Sequence, residues 1–264
     1  MPIIMTSQTI VAKLYELLTE EIASLKADDI TPTLAVVLVG EDPNSVTYVN
    51  IKGKQASELG IEFSLHKLDA TVSQESIIEA IEQLNAEPSV SGIIVQLPLP
   101  DQIDTDKVLQ AVLKEKDVDG LRTDSDFTPP TVSAITEILH SYDIDLEEKK
   151  IVIVGKGRLV GGPLIKRLKE RNLDVTVCDE STGDLGACTI NADILVSGTG
   201  QEHLIQPSMI KDGAVVIDVD KDVLYEQVLE KVGYITPQKG GVGPLTVAFL
   251  LSNVVDAAKK QPAS

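Results

Sequence analysis

Ile151-Val152-Ile153-Val154-Gly155-Lys156-Gly157-Arg158-Leu159-Val160-Gly161-Gly162-Pro163 opens on four β-branched apolar residues, turns through glycines and runs into a helical pattern from Pro163 to Glu170. An apolar run of this kind predicts a strand buried on both faces, and therefore a parallel sheet covered by helices. Glycines let the backbone approach a ligand closely, and a helix N-terminus just beyond them offers N–H donors and partial positive charge to a pyrophosphate. The spacing G-x-G-x-x-x-G is one residue longer than the usual dinucleotide fingerprint. The segment therefore reads either as a dinucleotide turn or as a plain strand-to-helix connection, and on the first reading Gly155, Lys156, Gly157, Val160 and Gly161 are the candidate contacts.

The alternation continues on both sides. Downstream, Val175 to Cys178, Ile194 to Ser197 and Ala214 to Asp218 read as strands. Upstream, Leu34 to Val39, Ile61 to Leu68 and Gly92 to Leu97 read as strands, separated by helices from Val46 to Leu59 and Glu75 to Leu84 and followed by one from Asp104 to Lys114. An amphipathic helix over residues 7 to 26 precedes them. Two such series predict two α/β domains, the second a Rossmann-like doubly wound parallel sheet, with a cleft between them. The expected boundaries are 1–123 and 124–244, with a last helix, 245–264, returning to the first domain. Leu97-Pro98-Leu99-Pro100 stops its strand, and one X-Pro bond there is a candidate cis bond.

The 264 residues carry 43% hydrophobic and 24% charged side chains, an ordinary globular balance. A net charge of −18 argues against nucleic acid as a partner, because phosphate binding needs a basic footprint. No stretch reads as a membrane span or a signal peptide, so a cytoplasmic location is expected. Cys178 and Cys188 fit neither a disulfide framework nor a zinc spacing and are expected as free thiols. The scattered His66, His140 and His203 give no support to a metal site or a Ser-His-Asp triad.

Chemistry must then rest on other groups. Tyr48 and Lys52, four residues apart on the helix after the first long strand, share one face over that strand's carboxyl end. A lysine there handles protons near neutral pH only if desolvation or a hydrogen-bonding neighbour lowers its pKa. Gln96, at the carboxyl end of its own strand, offers a neutral amide that can hold a neutral lysine without stabilising ammonium as a carboxylate would. Within Lys116-Asp117-Val118-Asp119-Gly120, Asp119 is suited to paired hydrogen bonds from an amino-substituted heterocycle. Each has a plainer explanation: a solvated helix face, a glutamine ending a strand, an Asx turn before glycine. Asp179 and Glu180, after the second strand of the second series, are placed to accept from an adenosine ribose and to repel a 2′-phosphate, favouring NAD over NADP; a solvated acidic loop explains them equally.

Taken together, Tyr48 through Lys52, Val95 through Pro100, Lys116 through Gly120, Val160 through Pro163 and Gly240-Gly241-Val242-Gly243-Pro244-Leu245-Thr246 resemble the bifunctional methylenetetrahydrofolate dehydrogenase/cyclohydrolase family. The resemblance implies a folate-binding catalytic first domain and a dinucleotide-binding second domain. It implies Lys52 as central catalytic residue, with Tyr48, Gln96 and Asp119 assisting. Ser45, Leu97, Pro98, Gly240, Gly241 and Pro244 would line the substrate site, and Lys221 the cofactor site. Tetrahydrofolate derivatives, NAD or NADP, and a second copy in a homodimer are the implied partners.

The departures from the family pattern concentrate in the cofactor half. Gly155-Lys156-Gly157 replaces Gly-Arg-Ser, Cys178-Asp179-Glu180 replaces Cys-His-Ser, and Asp220 stands where a glycine is usual, at a cost if a positive φ is needed there. The segment between Gly120 and Val132 is short. Three functions follow: a dehydrogenase/cyclohydrolase using NAD, a cyclohydrolase with weakened or lost dehydrogenase activity, and a non-catalytic folate-binding protein on the same scaffold.

Overall fold

The computed structural model describes residues 1–261; residues 262–264, which the expected last helix included, lie outside the described residues. In chain order the principal elements are β1 (Ile3–Ile4), α1 (Gln8–Ala27), β2 (Thr33–Val39), α2 (Pro43–Leu59), β3 (Glu62–Leu68), α3 (Gln74–Ala86), β4 (Gly92–Val95), α4 (Thr105–Ala111) and α5 (Pro130–Ser141). There follow β5 (Ile151–Val154), α6 (Gly161–Glu170), β6 (Val175–Cys178), α7 (Leu185–Thr189), β7 (Ile194–Ser197), β8 (Val215–Asp218), α8 (Tyr225–Val228), β9 (Tyr234–Ile235) and α9 (Val242–Lys259).

Two sheets form, both wholly parallel: three strands in the order β3-β2-β4, and six in the order β1-β9-β8-β7-β5-β6. The three-stranded unit holds residues 13–130 and the described chain from Val247 onward; the six-stranded unit holds residues 1–12 and 131–246. The first twelve residues thus depart from the expected 1–123 boundary. Their reason is backbone pairing: the Ile3 N–H donates to Gly233 O at 2.8 Å and the Met5 N–H to Ile235 O at 2.8 Å, making β1 an edge strand beside β9. A two-residue strand has no periodicity by which a sequence could announce it.

β2 is buried along its whole length and feeds two cores. Leu34, Val36 and Leu38 pack with Leu18 and Ile22 of α1, Val49 and Ala56 of α2, and Leu250, Leu251, Val254 and Val255 of α9. Ala35, Val37 and Val39 pack on the other face with Ile77 and Ile81 of α3 and Val108 of α4. This alternation is what a central parallel strand between two helical layers requires. α9 is long and apolar enough by length and composition to cross a membrane, and here its apolar face belongs to the core of the three-stranded unit. In the six-stranded unit, Val152, Val154, Leu195, Val216 and Ile235 share one core.

Cys178 and Cys188 are not free thiols. They are joined as a disulfide, with Cα atoms 6.8 Å apart, because the turn after β6 brings α7 back against the strand that Cys178 ends. The two sulfurs are only ten residues apart in the chain, and the reversal that pairs them is a property of the turn.

Leu34 is fully buried in the larger core of the three-stranded unit. Leu34→Ala is expected to destabilise the protein by about 2–5 kcal/mol through lost transfer energy and a residual cavity. A fall in the urea midpoint would register it, and an unchanged midpoint would contradict the packing described.

Candidate active site

In a parallel sheet, crossovers that leave neighbouring strands in opposite directions open a crevice at the strands' carboxyl ends. The order β3-β2-β4 puts that switch point between β2 and β4. α2 leaves β2 there. Asp42 caps it by accepting from the Ser45 N–H at 2.8 Å, Pro43 occupies the first turn, and Gly60, at φ 84°, ends it in a left-handed conformation. The pair Asp42-Pro43 is a start signal legible in the sequence, although the expected helix began only at Val46.

α2 carries Ser45, Tyr48 and Lys52, and the chain beyond β4 carries Gln96, Leu97 and Pro98, with the Leu97–Pro98 bond cis. Lys52 Nζ donates to Gln96 Oε1 at 3.0 Å, while Gln96 Nε2 donates to the Leu97 carbonyl at 2.7 Å. The second bond turns the amide so that its oxygen faces the lysine. Ser45, 4% exposed, donates its hydroxyl to the same Leu97 carbonyl at 3.4 Å. One backbone oxygen therefore ties α2 to the amide that holds Lys52. Tyr48 is half exposed.

Asp119 arrives from a separate turn. Gly92, in β4, has no side chain, and a Cβ there would lie 2.6 Å from Val118 Cγ1, so Val118 seats directly on the strand. Gly120 holds φ 66° where a Cβ would meet Phe127 O and Pro129 N, each at 2.8 Å. Asp117 builds the turn: it is 3% exposed and its Oδ2 accepts from the Arg122 N–H at 2.9 Å. The two acids of this segment are thus divided, Asp117 to the scaffold and Asp119 to the site.

Burial pushes the Lys52 pKa down, and the Asp119 carboxylate opposes that shift. Burial pushes the Asp119 carboxyl up, opposed in turn by Lys52. Desolvation leads in both, so both groups are moved toward their neutral forms.

The six-stranded order places its own switch point between β5 and β7. Gly155, Lys156, Gly157 and Val160 leave β5 there, and Gly161 begins α6. Gly155 sits at φ 92°, and a Cβ on Gly161 would lie 1.9 Å from Gly155 O, so no other residue fits position 161. Gly157 has no atom near the place of its missing Cβ. Val160 caps α6 with no side-chain hydrogen bond, the Gly162 N–H donates to Gly157 O at 2.9 Å and Pro163 has no N–H, so the helix offers an anion its dipole rather than a full set of free donors. These features fit a dinucleotide pyrophosphate.

Beyond β6, Lys156 Nζ pairs with Asp179 Oδ2 at 2.5 Å, and Asp179 Oδ1 accepts from the Ser181 hydroxyl at 2.6 Å. The Lys156 bond and Ser181 hold the Asp179 carboxyl down at about 2. Glu180 is exposed. Of the expected strain at Asp220 there is none: the positive φ, 61°, falls on Lys221, whose Nζ lies 3.8 Å from Glu202. Gly240 and Gly241 precede α9 and Pro244 lies in its first turn, all in the six-stranded unit. The Gly240 carbonyl accepts from the Ser7 N–H at 2.8 Å and from its hydroxyl at 3.0 Å.

A buried lysine held by an amide at one switch point and a glycine cradle at another define a two-unit α/β protein of the dinucleotide-binding class. Comparison with known proteins makes the assignment specific. Residues 5–119 match the tetrahydrofolate dehydrogenase/cyclohydrolase catalytic domain and residues 129–262 match the NAD(P)-binding domain of the same family, and the chain belongs to that family. The bifunctional protein FolD of Moorella thermoacetica is 43% identical, over 97% of this chain and 99% of that one. The crystal structure of the bifunctional methylenetetrahydrofolate dehydrogenase/cyclohydrolase FolD from Campylobacter jejuni superposes with a TM-score of 0.93 at 37% identity, covering 99% of this chain and 100% of that one. The Trypanosoma brucei enzyme, solved with NADP and an inhibitor, gives 0.93 at 31% identity over 98% of each chain.

The Asp117 carboxyl is pushed up to about 6 from an ordinary 3.8, chiefly by burial. Between those values the folded chain keeps a proton that the unfolded chain has released. The stability tied to this proton is therefore complete below pH 3.8 and is lost as pH rises to about 6. Asp117→Asn retains an acceptor for the Arg122 N–H and does not ionise. Its urea midpoint should gain on the wild type from about pH 4 to about pH 6.5; a constant difference across that window would remove Asp117 from the titration.

Proposed function

We propose that the chain catalyses both reactions of its family through the Lys52 site: oxidation of methylenetetrahydrofolate to methenyltetrahydrofolate with a nicotinamide dinucleotide, and hydrolysis of that product to formyltetrahydrofolate. The observation that carries the reading is the 3.0 Å bond from Lys52 to the oriented Gln96 amide, with burial lowering the lysine pKa.

In the hydrolysis, water adds to the methenyl carbon and neutral Lys52 takes its proton. The resulting ammonium returns a proton to the ring nitrogen as the carbon–nitrogen bond breaks, and the hydroxyl proton leaves as the formyl carbonyl forms. Gln96 accepts from Lys52 in both protonation states and so holds it through the cycle. Asp119 anchors the pterin's amino-substituted edge, and Tyr48 supplies an aromatic face. Ser45, Leu97 and Pro98 complete the wall of the site on this unit.

The dinucleotide supplies a hydride acceptor when bound. Gly155, Gly157, Val160 and Gly161 would hold its pyrophosphate, with Lys156, Asp179, Glu180 and Lys221 around the remainder. Asp179 and Glu180 favour NAD, although Lys156 already neutralises one of the two charges.

Lys52→Met is expected to abolish hydrolysis of methenyltetrahydrofolate and dinucleotide reduction while folate still binds. Unchanged turnover would end the proposed role. Hydrolysis by the wild type without any reduction of NAD or NADP would select a cyclohydrolase alone, and neither activity a folate-binding protein. Asp179→Ser with Glu180→Ser removes both acids and frees Lys156 for a 2′-phosphate. NADP affinity should then rise on the order of ten-fold; no rise in a direct titration would take these acids out of cofactor selection.

A further inference from the structure

Two turns meet at the β5/β7 switch point. One is the glycine cradle. The other is Gly198-Thr199-Gly200, which leaves β7 and holds its place against the first with nothing between them. A Cβ on Gly155 would lie 3.1 Å from both Gly198 O and Thr199 Cγ2, and a Cβ on Gly198 would lie 2.9 Å from Val160 Cγ1. A displacement of the second turn is therefore a displacement of the first.

What fixes the second turn is a side chain from the next strand's exit. Asp222, fully buried beyond β8, directs a single carboxylate oxygen at it: Oδ2 accepts from Ser197 Oγ at 2.6 Å, from the Thr199 N–H at 2.7 Å and from Thr199 Oγ1 at 2.9 Å. Asp222 is itself held through its own backbone groups, its N–H donating to the Asp218 side-chain Oδ1 at 2.9 Å and its carbonyl accepting from the Ile205 N–H at 2.9 Å. Among the described residues its other oxygen, Oδ1, is buried without a hydrogen-bond partner. Leaving a buried carboxylate oxygen unsatisfied is costly. A carboxylate that served only to fill the core would do better with its donors shared between both oxygens.

We propose that Asp222 is a positioning residue for the dinucleotide, fixing Thr199 and through it the Gly155 turn at the switch point. The inference rests on the reading of that turn as the pyrophosphate cradle. Asp222 touches neither the folate residues nor the cradle directly, so its effect belongs to cofactor affinity and leaves cofactor-independent hydrolysis alone.

The test titrates NAD and NADP into the wild type, Asp222→Ala and Asp222→Asn, and follows methenyltetrahydrofolate hydrolysis without dinucleotide in parallel. Asp222→Ala should weaken the preferred dinucleotide about ten-fold or more, the scale of a lost charge-assisted hydrogen bond, with hydrolysis retained. Asp222→Asn keeps an acceptor oxygen for the same three donors and should recover most of the affinity. Wild-type affinity in Asp222→Ala would overturn the inference, as would parallel loss of hydrolysis and binding, or an Asn variant as weak as Ala. If Asp222→Ala does not fold, Thr199→Val removes one of the three donors to Asp222 Oδ2 together with the acceptor of the Gln201 N–H; it should weaken binding while hydrolysis persists, and wild-type binding by it would equally overturn the proposal. A wild type that binds neither dinucleotide would instead bring down the cradle reading on which this one rests.

Discussion

Every strand in both sheets runs parallel to its neighbours, and this constraint organises the rest of the molecule. Parallel strands cannot be joined by tight hairpins, so each connection crosses a face of its sheet and all the carboxyl ends gather on one edge. Where successive crossovers part, between β2 and β4 and between β5 and β7, the chain leaves two crevices without any side chain having to create them. The groups with chemistry to offer stand at those openings: Lys52 and Gln96 at one, the Gly155 to Gly161 turn at the other.

Buried carboxylates do much of the positioning around both openings. Asp117 and Asp218 each accept backbone N–H groups within a tight turn, and burial pushes both carboxyls up to about 6. Such groups shape loops that glycine alone would leave adaptable. Lys52 and Asp119 answer to one another, each opposing the shift toward neutrality that burial gives the other. The Leu97 carbonyl plays a comparable part in the three-stranded unit, receiving Ser45 and Gln96 together and so joining α2 to the end of β4.

Much of this fold was legible from residue patterns. The continuous apolar runs of β2, β4, β5, β7 and β8, bounded by glycine and proline, announce buried parallel strands, and Asp42-Pro43 with Gly60 brackets α2. Two-residue strands and the four- and five-residue helices α8 and α7 left no such trace, because a period cannot be read over so few positions. The Cys178–Cys188 pairing escaped for a related reason: it depends on a reversal after β6, and a separation of ten residues allows many paths. Strain expected at Asp220 fell one residue later, on Lys221, since a turn's conformation depends on the strands it joins.

The sequence by itself determined the two parallel α/β series, the glycine turn after β5 and the residue types available to each site, because these depend on local periodicity, backbone freedom and side-chain chemistry. Only the tertiary structure decided that Asp117 builds a turn while Asp119 faces Lys52, that Lys156 is committed to Asp179, that residues 1–12 belong to the six-stranded unit, and that Asp222 reaches the turn after β7. Each of these is a contact between segments far apart in the chain or a choice among equivalent side chains within one segment. Packing makes that choice, by deciding which group is buried and which donor lies within reach.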